Sequence, residues 1–355
     1  MKLRENRIDA RKIRFAMASY FLFFCFIFFA PPVVGFEFTA LEYTGEPFIE
    51  SAEKVITSST RRSSPGDHVR VAFYNIEMFT DGISDGKNRT EELAMIQAAG
   101  AARIVEQIKP DILFISEIEN DRALGYLNNS FSNSYPLGYL SVFGSGSSRA
   151  EKMNIAMLTR YQPVSATKLD FSTLVGAGRP TRGVFRAIFD LGDSHYLLVY
   201  AVHLKANFGD KNRNYSQRVN AMNIIQRDKL DITQKYPNRN WEMIVLGDFN
   251  TDPTLDNLRD DPTLSVLGHW SDIWLEHPST SQYHTVATRY GDPRREFPPS
   301  LFDRILVHQS LREKPWDVSL PGTVMEGTET HDVSVLPGQG GHISDHYPIY
   351  IDLRR

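Results

Sequence analysis

The sequence predicts a four-layered α/β sandwich, with two packed, mainly antiparallel or mixed β-sheets flanked by helices. Three observations carry that prediction. Short apolar runs rich in β-branched and aromatic residues recur at about nine or ten places, separated by turn-forming clusters. Many of these runs follow one another with no helix between, which disfavours a doubly wound parallel sheet. Several are apolar on both faces, as strands become when each side of a sheet is covered.

The elements read in order as follows. "VRVAFYNIE" is strand-like, and "TEELAMIQAAGAARIVEQI" has helical spacing with a polar start at Thr90. "PDILFISEIE" is a buried strand. "GYLSVF", "MNIAMLT", "VFRAIFDL" and "YLLVYAVHL" are short strands divided by turns at "GSGSS", "YQP" and "LGDS". "NYSQRVNAMNIIQRDKLDI" is a second helix, and "WEMIVLGDF", "FDRILVH" and "HYPIYIDL" are three further strands. With 355 residues, the chain has room for one large α/β domain or two small ones, and the strands place the domain proper at 68–355. Residues 36–67 lack sustained periodicity and read as a leader or linker, free or docked in part on the domain.

The first 35 residues differ from the rest. A basic stretch, "MKLRENRIDARKIR", precedes the uncharged "FAMASYFLFFCFIFFA" and then "PPVVG". This is the pattern of a secretory signal, with cleavage expected after Gly35 because Pro31 disfavours cleavage after Ala30. A retained membrane anchor is the alternative, although the apolar run is short against the ~20 residues a span needs. The only cysteine, Cys25, lies here, so the remainder has no disulfide. These 35 residues carry six Lys/Arg and two Asp/Glu, so their removal takes the net charge from -4 to -8. Such an acidic body does not coat a nucleic acid through a basic surface. A polyanionic substrate must be met locally, by a cation and a few basic side chains. No GxGxxG or Walker A segment is present, so a nucleotide cofactor is not indicated.

The informative residues stand where apolar runs end: Asn75 and Glu77 in "FYNIE", Glu117 in "FISEIE", His203 in "YAVHLKAN", and Asp248 and Asn250 in "IVLGDFN". Asp303 lies in "LFDRILV", and Asp345 and His346 precede the last strand in "HISDHYPIYI". Each alone has an ordinary reading: an Asn or Asp stabilising a turn, a solvated Glu, a half-buried histidine, or Asp303 pairing with its neighbour Arg304. Together they form an oxygen-rich set at strand ends, suited to a hard cation such as Mg²⁺. The absence of cysteine ligands and of an HExxH helix argues against a zinc site.

In this order and spacing, "FYNIE", "SEIE", "HLKAN", "GDFNTD", "FDRILV" and "ISDHYPI" resemble the endonuclease/exonuclease/phosphatase superfamily, which includes pancreatic deoxyribonuclease, over roughly residues 68–354. The resemblance implies the four-layered sandwich and divalent-metal-dependent cleavage of phosphate esters. It implies that Asn75, Glu117 and Asp345 hold the metal, with Mg²⁺ expected and Mn²⁺ or Ca²⁺ also possible. Asp248 and Asn250 would position the attacking water and the phosphate. His346 would act on the water or stabilise the phosphorane, with Asp303 fixing its tautomer. His203 would donate to a phosphoryl oxygen or protonate the leaving group, and Arg182 in "RPTRGVF" would lie near the phosphate. Two departures stand out: position 77 is Glu where some branches carry Asp, and the tyrosine–glutamate pair that supports the second histidine has only Glu151 as a candidate.

The expected function is therefore an exported phosphodiesterase acting on nucleic acid, and a monomer. The alternative is an exported or membrane-anchored phosphatase or phospholipid diesterase of the sphingomyelinase or inositol-phosphate type. His203 resembles the deoxyribonuclease-like and sphingomyelinase-like branches, and export disfavours abasic-site repair. Two basic stretches, "KANFGDKNRNYSQR" and "TRYGDPRREF" at 288–297, are candidates for contact with a nucleic-acid backbone.

Overall fold

The computed structural model describes residues 38–58, 64–85, 89–143, 154–276, 283–287, 298–328 and 334–355. In chain order the elements are β1 (Phe48–Ser51), β2 (Glu53–Thr57), β3 (His68–Phe79), α1 (Glu91–Ile108), β4 (Ile112–Ile118), α2 (Asp121–Ser130), β5 (Leu137–Ser141), β6 (Asn154–Thr159) and β7 (Ser165–Asp170). There follow β8 (Val184–Gly192), β9 (His195–His203), α3 (Lys211–Lys235), β10 (Asn240–Asp248), β11 (Trp270–Asp272), β12 (Asp303–His308), β13 (Asp317–Val318), β14 (Gly322–Thr323) and β15 (Ile349–Arg354). One sheet has the order β1-β7-β8-β9-β10-β12-β11. The other has the order β13-β15-β3-β4-β6-β5-β2, with β14 also on β15.

Period-two alternation builds the layers. On β3, Val71 and Phe73 join an inter-sheet core with Phe114, Phe185, Val199 and Leu246. The alternating Ala72 and Tyr74 face the other way and pack with Ala101 and Val105 of α1 and Leu124 of α2. On the far side, Tyr200 and Val245 pack with Met222 and Ile225 of α3. Helices, sheet, sheet, helix: this is the four-layered sandwich predicted from the doubly apolar runs.

Two parallel pairs decide where polar strand ends can meet. β3 and β4 are parallel, with α1 as the crossover, and β9 and β10 are parallel, with α3 as the crossover. A parallel pair ends both of its strands at one edge, so each sheet delivers two carboxyl-terminal ends together. α1 starts where its sequence says it should. The Thr90 side chain accepts a hydrogen bond from the Leu93 amide, and Glu91 and Glu92 occupy the first turn.

One boundary needs correction. Part of the segment read as a leader, 36–67, belongs to the domain. β1 pairs with β7 at the edge of one sheet, and β2 pairs with β5 at the edge of the other. The sequence concealed them because both strands are short, and solvent reaches most of their side chains. Residues Ala40–Arg355 form one unit. The signal or anchor segment, Cys25, Glu151 and the 288–297 stretch lie outside the described residues. Among the described residues, no helix is long and apolar enough to cross a membrane.

Gly247, in "GDFN", is required by the parallel pairing. Its φ is +141°, and a Cβ there would lie 2.0 Å from the Val202 carbonyl oxygen on β9. Gly247→Ala should cost about 2–3 kcal/mol through backbone strain and overpacking, read as a lowered urea midpoint with an unchanged m-value.

Candidate active site

Strand register sets three of the predicted residues side by side. His203 on β9 is the cross-strand partner of Asp248 on β10, and Asp248 is the partner of Asp303 on β12. On the other sheet, Asn75 of β3 faces Ser116 of β4. An irregularity follows, and it brings Glu117 round in a left-handed conformation, φ 61°. Asn250 is left-handed as well, at φ 52°. Such non-glycine positions cost about 1–3 kcal/mol and persist only where surrounding contacts over-determine them.

Those contacts cross between the sheets. The Asn75 Nδ2 donates to Asp248 Oδ2 at 3.2 Å and to Glu117 Oε1 at 3.3 Å. His203 Nε2 lies 3.4 Å from the same Asp248 oxygen and 3.5 Å from Glu117 Oε1. His346 Nε2 lies 3.9 Å from Asp248 Oδ2 and 3.9 Å from Asp345 Oδ1, while its Nδ1 is 2.7 Å from Asp303 Oδ2. Asp248 Oδ2 is thus the atom on which Asn75, His203 and His346 converge.

Asn250 and Arg182 are organised by one carbonyl. The Leu204 oxygen accepts from Asn250 Nδ2 at 3.1 Å and from Arg182 Nη1 at 2.8 Å. The Asn250 amide N–H donates to Asp248 Oδ1 at 2.8 Å. All eight predicted site residues other than Arg182 are tied to one another directly, or to Asp248 through one neighbour, and Arg182 joins them through Leu204.

The electrostatics follow from this crowding. Burial is the main cause that pushes Asp248 up, to about 7. Asp303 adds to the rise, against opposing pulls from His346 and Arg182. Burial opposes charge on His346, but Asp303, Asp248 and Asp345 together raise it well above the usual histidine range. Burial holds His203 well below that range, helped by Arg182 and His346. Burial lowers the Arg182 guanidinium, while Glu117 and Asp248 pull it back up.

The donor set suits a hard cation. Asn75 Oδ1 is buried and accepts no hydrogen bond among the described residues. The Nδ2 of the same amide holds the carboxylates of Glu117 and Asp248, and Asp345 Oδ1 lies 3.9 Å from His346 Nε2, which also faces Asp248. A cation there would favour an ionised Asp248 and a neutral His346.

One acidic group was not read as functional from sequence. Asp81, Asp85 and Glu119, just beyond β3 and β4, have ligand atoms all within 4.8 Å of one another, a second acidic group able to hold a cation. Their signal was the Asp spacing in "TDGISD" and the alternate Glu in "SEIE". Glu77 is turned from the site: its Oε2 is 2.8 Å from Nε2 of buried His342. Arg304 does not pair with Asp303; it is fully buried against Asp252 and Asp272. The basic loop after His203 turns part of its charge inward. Arg218 is fully buried on Asp261, at 2.6 Å, and on the Lys205 carbonyl, at 2.7 Å. Lys205 donates to the carbonyls of Ala206 and Phe208. Lys211 and Arg213 stay exposed.

The profile described as the Endonuclease/Exonuclease/phosphatase family matches residues 72–346. No curated protein matches the chain. Among solved structures, TDP2 from C. elegans is similar over 81% of this chain and 75% of its own, at 19% identity and TM-score 0.54. D. rerio TDP2 complexed with single strand DNA product matches 81% of this chain and 99% of its own, at 18% identity and TM-score 0.53. The Bacteroides thetaiotaomicron mannosyl-6-phosphatase Bt3783 matches 81% and 100%, at 16% identity and TM-score 0.51.

Proposed function

The chain belongs to the endonuclease/exonuclease/phosphatase family, and from that premise we propose that it is an exported, divalent-metal-dependent phosphodiesterase that hydrolyses nucleic-acid phosphodiester bonds. The observation that carries the reading is the convergence of Asn75, His203 and His346 on Asp248 Oδ2, with Asp303 behind His346.

The residues divide the work by geometry. Asp303 on Nδ1 fixes the His346 tautomer and raises the basicity of Nε2, which takes the proton of the attacking water. Asp248 and the Asn250 amide orient that water and the phosphate. His203, buried beside Asp248 and Glu117, donates from Nε2 to a phosphoryl oxygen or to the leaving group. Arg182 adds positive charge beside the same oxygens. Asn75, Glu117 and Asp345 would hold the cation. A bound Mg²⁺, or Mn²⁺ or Ca²⁺ on the same oxygen ligands, supplies the charge that offsets negative charge developing on the phosphoryl and leaving oxygens.

A second reading, a phosphatase or phospholipid diesterase, uses the same side chains, and a mannosyl-6-phosphatase shares the fold. A substrate panel on purified residues 36–355 decides between them. Plasmid or single-stranded DNA and bis-p-nitrophenyl phosphate should be cleaved with Mg²⁺, stopped by EDTA and restored by added Mg²⁺. Turnover of sphingomyelin, sugar phosphates or inositol phosphates with none on nucleic acid selects the second reading. No metal-dependent turnover of any ester leaves only a binding module.

A further inference from the structure

We infer that Ser344 is the positioning residue that holds His346 in register with the carboxyl-terminal end of β3. β15 pairs with β3 only as far as Ile349 opposite Phe73, so among the described residues the next stretch of that β3 edge has no strand beside it. The Ser344 hydroxyl takes that place. It donates to the Asn75 carbonyl at 2.7 Å and accepts from the Glu77 amide at 3.2 Å and from the His346 amide at 3.1 Å. A hydroxyl has one donor and two acceptor sites, and here all three are used.

Two of the three partners, Asn75 and His346, belong to the site, and the third, Glu77, lies just beyond it on β3. Asn75 carries the amide that bridges Glu117 and Asp248. Glu77 fixes His342. His346 carries the ring set on Asp303. Ser344 is fully buried, so no water replaces a lost contact cheaply. Its own backbone is anchored separately, because Thr328 Oγ1 donates to its carbonyl at 2.6 Å. Removing the hydroxyl therefore takes away the direct tie between β3 and the His346 amide, while Gln97, which donates to the Glu77 and Ile343 carbonyls, and the 285–287 stretch keep the chain in place.

The inference uses the proposed role of His346, and its test has one arm that needs no turnover. In ¹⁵N-histidine-labelled, metal-free protein, the Nδ1 proton of His346 bonded to Asp303 gives a downfield proton resonance. Ser344→Ala should shift or broaden that resonance, and Ser344→Thr, which keeps the hydroxyl, should restore it. On bis-p-nitrophenyl phosphate with Mg²⁺, Ser344→Ala should lower kcat by roughly 10–100-fold with KM within about 3-fold, because a displacement near 1 Å at a catalytic group has an effect of this size. Ser344→Thr should recover most of it. A wild-type resonance together with wild-type kcat in Ser344→Ala overturns the inference, as does a raised KM at unchanged kcat. Should Ser344→Ala yield no folded protein, Ser344→Cys, which fills the volume and donates weakly, is judged by the same two readouts. A wild type that hydrolyses no ester overturns the proposed function, while the resonance still decides the placement of His346.

Discussion

His346→Ala should lower kcat by at least ~10²-fold, the usual size of a general acid–base contribution, with little change in KM. The imidazole sits between two acidic demands, with Asp303 2.7 Å from Nδ1, and Asp248 and Asp345 each 3.9 Å from Nε2. Alanine removes the group proposed to accept the proton of the attacking water and leaves Asn250 and Arg182, the proposed phosphate-orienting groups, on the Leu204 carbonyl. The loss is therefore expected in kcat and kcat/KM equally, the mark of an interaction made in the transition state. It also strips buried Asp303 of its partner, so the variant's unfolding midpoint must be measured beside its kinetics. Steady-state rates on bis-p-nitrophenyl phosphate at saturating Mg²⁺ give the answer. A loss below about 3-fold would remove His346 from the proton-transfer role.

Arg304→Leu should destabilise the protein by about 3–5 kcal/mol, the cost of leaving buried charge without its partner. Arg304 is wholly inaccessible to solvent, and its guanidinium reaches Asp252 at 3.1 Å, the Thr251 carbonyl at 3.2 Å, and Asp272. Leucine fills much of the volume but leaves two carboxylates facing each other's field. Urea unfolding should show the loss, and adding Asp252→Asn and Asp272→Asn should recover part of it, because neutral amides need no counter-charge. A loss under 1 kcal/mol would mean that water already screens the two carboxylates.

The sequence showed the ends of apolar runs, and with them His203, Asp248, Asp303, Asn75 and Glu117. A polar residue closing a hydrophobic stretch is visible without coordinates. The layers were legible for the same reason: a run apolar at every position must be covered twice. What it could not show was register. Nothing in "VHLK", "GDFN" or "FDR" says that the three polar residues become cross-strand neighbours. That depends on β9 and β10 being parallel and β12 antiparallel. Partner choice was equally hidden. Arg304 follows Asp303 in sequence, yet alternation along β12 sends the two side chains to opposite faces, so Arg304 finds Asp252 and Asp272 instead. The short strands β1, β2 and β7 carry too few apolar residues to stand out, and Gly125 and the asparagines of α2 masked a helix.

The ten residues from Phe48 to Thr57 pass from the rim of one sheet to the rim of the other, turning at buried Ala52. They act as a seam that stitches the two halves together and caps a flank of each. A chain trimmed to begin at His68 would uncover the flanks of β5 and β7 at once. Two bare rows of amides and carbonyls would then invite other molecules to add on, so solubility should fail at that cut well before chemistry does.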